Sequence, residues 1–156
     1  MIKQIHKILF LLILITISSC EPAKQAINID KSFTNNTWNS FDIIDFKTLI
    51  PETETPYQVR VVVMLSEKFS ENNFGFVLSQ KSEEGESIYS HYQIPIRNKE
   101  GVMEGKLDGE FYYYTIIINK KTYFNSKGEY TFSFESTMNK LKVKGVHKLS
   151  LELNPL

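Results

Sequence analysis

From Thr37 onward the chain repeats on a period of two, and no other feature restricts its fold as severely. Tyr57, Val59, Val61, Val63 and Leu65 fall on one side of an extended segment, while Gln58, Arg60, Val62, Met64 and Ser66 fall on the other. Successive side chains of a strand point to opposite faces, so this spacing predicts a strand with one buried face and a second face that is partly covered. Phe74, Phe76 and Leu78 share one side of residues 73–81. In residues 87–97, Ile88, Tyr92, Ile94 and Ile96 are expected inward and Tyr89, His91, Gln93 and Arg97 outward, with Pro95 marking an edge or a bulge. The run Phe111-Tyr112-Tyr113-Tyr114-Thr115-Ile116-Ile117-Ile118 is apolar on both sides, as expected of a central strand.

The alternation continues to the C-terminus. Tyr130, Phe132 and Phe134 alternate with Thr131, Ser133 and Glu135, and His147, Leu149, Leu151 and Leu153 alternate with Val146, Lys148, Ser150 and Glu152. Turn residues separate these runs at 82–86, 98–101, 107–110 and 126–128. With residues 38–46 counted as one more strand, about seven or eight short antiparallel strands result, enough for two packed sheets. The expectation is an all-β antiparallel β-sandwich over residues 37–156. Eleven Phe, eight Tyr and one Trp agree with it, because flat side chains pack well on a pleated surface.

The N-terminus has a different character. Lys3 and Lys7 precede an apolar run from Ile8 to Ile15, and Thr16-Ile17-Ser18-Ser19-Cys20 follows. A basic start, a short apolar stretch and a small-residue site make residues 1–19 a cleaved signal peptide. The stretch is shorter than the about 20 residues that a membrane-crossing helix needs. Ile17-Ser18-Ser19-Cys20 resembles the bacterial lipobox, which makes Cys20 the lipidated residue, carrying diacylglycerol and an N-acyl chain such as palmitate. Each buried methylene contributes about 0.8 kcal/mol, so two or three chains anchor stably where one binds marginally. Residues 20–36 are polar and are expected to be the lipidated N-terminus and a flexible tether.

Other classes find little support. Beyond the leader the chain holds 18 − 2 = 16 Lys and Arg against 18 Asp and Glu, which argues against nucleic acid as a partner. Cys20 is the sole cysteine, so neither an intrachain disulfide nor a thiolate metal centre can form. Of three histidines, His6 lies in the leader, and His91 and His147 lack the close spacing of a zinc motif. No nucleophile motif or phosphate-cradling loop is present, and Gly101, Gly105 and Gly109 are expected to be turn glycines. The expectation is a non-enzyme with no cofactor and no metal. Glu83-Glu84-Gly85-Glu86 lacks the ligand spacing of a calcium loop and suits a hairpin tip. Tyr112-Tyr113-Tyr114 would suit a sugar-binding platform only if the three rings shared a face, which alternation forbids. A carbohydrate-binding surface lipoprotein is the alternative function.

Tyr89-Ser90-His91-Tyr92-Gln93-Ile94-Pro95-Ile96, the Asn98-Lys99-Glu100-Gly101 turn, Gly128-Glu129-Tyr130-Thr131-Phe132-Ser133-Phe134 and the segment from Met138 to Val146 resemble the GldH gliding-motility lipoproteins of Bacteroidota. In that family a G-x-Y strand precedes a Met-containing segment and a Leu-x-x-x-Gly-Val approach to the last strand, and the order here is the same. A departure falls at Gly101-Val102-Met103-Glu104-Gly105, which keeps the glycines of a G-x-W-x-G pattern and replaces its ring with Met103. The resemblance implies a non-catalytic lipoprotein of the cell envelope, held at the outer membrane. Its implied partners are the membrane and proteins of the gliding and type IX secretion machinery.

Overall fold

A computed structural model describes residues 25–85 and 87–156. The proposed signal peptide, Ile17, Ser18, Ser19 and Cys20 lie outside the described residues. Eleven strands and one 3-10 turn make up the described chain. The strands are β1 (Ile27–Ser32), β2 (Thr37–Asn39), β3 (Ile44–Ile50), β4 (Tyr57–Ser66), β5 (Asn73–Ser82), β6 (Ser87–Pro95), β7 (Lys106–Asp108), β8 (Phe111–Thr122), β9 (Gly128–Ser136), β10 (Lys142–Lys144) and β11 (Val146–Pro155). They form a five-stranded sheet in the order β1-β11-β4-β8-β7, a four-stranded sheet in the order β3-β9-β5-β6, and a β2-β10 ribbon. Every ladder is antiparallel. The protein is the all-β sandwich that its alternation predicts.

The inner faces supply the core. Val59, Val61, Val63 and Leu65 of β4 and Leu149, Leu151 and Leu153 of β11 face Phe74, Phe76 and Leu78 of β5 and Tyr130, Phe132 and Phe134 of β9, all buried. Rings bridge neighbouring strands: Phe76 lies 5.2 Å from Tyr92 and 5.5 Å from Phe134. Such pairs add about 0.5–1.5 kcal/mol beyond the area they bury. Trp38 is fully buried against Phe33, and its indole N–H donates to the Asp42 carbonyl at 2.9 Å. The outer face of β4 is partly covered too, since Met64 is buried between its cross-strand neighbours Tyr113 and Lys148.

Several expectations need correction. Residues 20–36 were expected to be a flexible tether, but Ile27–Ser32 is β1, laddered on β11 from Ile27 against Leu153 to Ser32 against Lys148. The expected strand over residues 38–46 is two strands, β2 and β3, which belong to different sheets because the chain turns at residues 40–43. β8 is not central. Beyond the three-residue contact with β7, its far side has no ladder partner among the described residues. On its outer face Phe111 stacks on His147 and Tyr113 lies opposite Met64, while Ile117 is exposed. A bulge between Val146 and Lys148 shifts the register of β11, so Val146 joins the leucines in the core while His147 is left half-buried. Gly101 and Gly109 do have positive φ, but Gly105 does not; a Cβ there would lie 2.7 Å from the Tyr114 ring, so its need is for space.

Candidate interaction surface

β1 lies beside β3, so the two sheets stack with β8 and β6 together on the opposite side. Residues 96–110 cross between the sheets on that side. The crossing is held by the Tyr114 hydroxyl, which donates to the Ile96 carbonyl at 2.9 Å inside the protein. Burial pushes the Tyr114 phenol above its ordinary value of 10.0. Arg97 braces the same segment, donating to the carbonyls of Phe69 and Gly101 at 2.7 Å each. Met103 is buried there as part of the core, so the position where the resemblance expects a ring is a packing position.

Away from the crossing the two sheets splay apart and leave a cleft of about 210 Å³. Ile88 and Tyr92 of β6 form one wall, Ile118 and Asn119 of β8 the other, and Gln80 and Ser82 of β5 lie within it. Ile88 was expected in the core; it points inward, yet it is 61% exposed because it meets the open cleft instead of a facing sheet. β8 is irregular here, with shifts of register against β4 around Val59, and this brings both Asn119 and Thr122 to the cleft. Ser82 is buried, and its hydroxyl has no hydrogen-bond partner among the described residues.

The edge beside the cleft is β6. It pairs with β5 without a break from Asn73 against Pro95 to Lys81 against Ser87, and no other strand among the described residues pairs with its outer side. None of its nine residues, Ser-Ile-Tyr-Ser-His-Tyr-Gln-Ile-Pro, is an acid, a lysine or an arginine. Pro95 closes the strand at one end, as expected of an edge. A second exposed apolar cluster, Phe41, Ile43 and Leu141, sits toward the opposite end of the strands, where the Ser40 amide donates to the Leu141 carbonyl at 3.0 Å.

The residues considered for other chemistry stay apart. His91 is exposed on β6, whereas His147 lies on β11, its Nδ1 2.7 Å from the Asn36 side-chain oxygen and its ring stacked 4.0 Å from Phe111. Among the described residues no group of three or more His, Cys, Asp or Glu could hold a metal ion. Tyr114 is buried and Tyr112 and Tyr113 are half-buried, which leaves no shared aromatic platform. At the hairpin tip Gly85 takes φ +89° and donates its amide to the Ser82 carbonyl at 3.0 Å. Glu71 is held below the ordinary carboxylate range by a hydrogen bond from Lys140, with Ser70 adding to the effect.

Fold and surface together define an antiparallel β-sandwich domain with one uncharged, open edge beside an inter-sheet cleft. The sequence profile of the GldH lipoprotein family matches residues 25–153, and the chain belongs to that family. It is accordingly a gliding-motility-related lipoprotein, associated with membrane in the cell envelope, from a family not known for enzymes. No curated protein matches the chain.

Proposed function

We propose that this protein is a non-catalytic accessory subunit, anchored at the outer membrane by lipid on Cys20, that works through protein contacts with the gliding and type IX secretion apparatus. The supporting observation is the β6 edge. Along its nine residues, alternate ones turn their backbone donors and acceptors to the open side, with no acid, lysine or arginine to discourage pairing. Natural proteins usually blunt such edges with lysine, a bulge or a cover, so an unprotected one suits a partner that adds a strand.

The test is affinity capture of the tagged, membrane-inserted protein from envelope extracts of a gliding host. The unaltered chain is expected in the membrane fraction with its partners. Cys20→Ser should leave the membrane fraction, and Tyr89→Lys should stay there but lose the partners. Membrane retention of Cys20→Ser overturns the anchor, while partners that persist with Tyr89→Lys overturn the contact through β6.

A further inference from the structure

We infer that the cleft beside β6 seats one uncharged, polar-tipped side chain, such as glutamine, from a partner segment that lies along β6 as an added strand. The inference rests on the contact reading above and supplies the chemistry of the partner. Three observations support it independently of one another.

The first is charge. Among the described residues, neither β6 nor any of the fourteen that line the cleft is an acid, a lysine or an arginine. A charged side chain entering would give up part of its water without gaining an opposite charge, which is unfavourable. The second is the Ser82 hydroxyl. It is nine-tenths buried, lines the cleft and has no partner among the described residues, with Gln80 and Ser90 beside it. A buried hydroxyl left unpaired is unfavourable, and a neutral amide or hydroxyl arriving from outside would satisfy it. The apolar mouth, Ile88 and Ile118, suits the methylenes of the same side chain.

The third is geometry. Alternate residues of a strand added to β6 would point inward beside Ile88, Ser90 and Tyr92, which is where the sheets part. The cleft, at about 210 Å³, lies below the ~300–1,000 Å³ of a small-molecule site but is ample for one side chain. β6 is a better template than the free side of β8, which is irregular and carries Lys120 and Lys121.

The probe is a blocked seven-residue peptide, Thr-Val-Thr-Xaa-Thr-Val-Thr, titrated into the chain lacking its leader and followed through the backbone amide resonances of β6. With glutamine at Xaa, shifts are expected at Ser82, Ile88 and Ser90, and glutamate or lysine at Xaa should bind at least tenfold more weakly. Ser82→Ala should erase the preference for glutamine over leucine while the leucine peptide still binds. Equal binding of the charged and neutral peptides, no shift with any peptide at millimolar concentration, or a neutral oligosaccharide such as maltoheptaose shifting the same resonances would overturn the proposal. So would self-association through β6 that excludes the peptide. In the envelope capture, if Tyr89→Lys loses partners while Ser82→Ala keeps them all, the contact reading survives and the seat in the cleft falls. If both lose them, both stand.

Discussion

The four-stranded sheet has two edges built by opposite rules. On β3 the outward positions carry Asp45, Lys47 and the exposed Leu49, and Lys47 pairs with Glu129 across the ladder at 3.2 Å. On β6 the outward positions carry Tyr89, His91, Gln93 and Pro95. Both strands turn alternate residues inward, β3 burying Ile44, Phe46 and Ile50 and β6 burying Ile94, so the difference that concerns a docking strand lies on the outer faces. A charge on an edge must be desolvated when another strand docks, which makes β3 a poor template and leaves β6 a permissive one. β1, the edge of the other sheet on the same side as β3, follows the β3 rule with Asp30 and Lys31.

Removing the support beneath β6 should have the largest effect. Phe76 is fully buried and meets Phe74, Tyr92 and Phe134. Phe76→Ala should destabilise the domain by about 3–5 kcal/mol in urea unfolding, because the cavity cannot close between two sheets. The β6 amides should then exchange faster with solvent deuterium than those of β3.

A smaller loss is expected from Tyr114→Phe, which removes one of two hydrogen bonds to the Ile96 carbonyl, the other coming from the Glu104 amide at 3.0 Å, and should cost about 0.5–1.5 kcal/mol. It also tests a pH dependence. The Tyr114 phenol titrates higher in the folded protein than its ordinary 10.0, so folding favours the protonated form. That contribution is complete below the unfolded value and is lost as pH rises from there toward the folded one. Alkaline unfolding curves should therefore fall less steeply for Tyr114→Phe, and parallel curves would show that the phenol does not matter there.

The smallest effect on stability is expected at the charged edge. Replacing Asp45 and Lys47 together with threonine should change stability by less than ~1 kcal/mol, since exposed ion pairs contribute little. It should nonetheless produce concentration-dependent association in sedimentation. A variant that stays monomeric would show that charge is not what separates the two edges.

The strands that alternate against a single core, β4, β5 and β9, are readable from the spacing of Val, Phe and Tyr alone. β1 escaped because only Ile27 and Ile29 mark its inner side, and Asn28, Asp30 and Ser32 face water at the edge. The bulge at Val146 and Lys148 adds a residue without changing composition, so the position of His147 could not be read from spacing. The cleft depends on how far two sheets diverge, which no local pattern records. A hint of it does stand in the sequence: Gln80, Ser82 and Ser90 interrupt inward positions that are otherwise apolar.

β1 has a mechanical consequence as well. It runs from Ile27 to Ser32 antiparallel to β11, with its ladder lying along the whole strand. A pull on the N-terminal side of Ile27, directed out of the domain, acts along the strand axis. The bonds to β11 are then loaded in shear and must yield together, whereas a pull across the edge would peel them one after another. A domain towed by its N-terminus resists in its strongest direction.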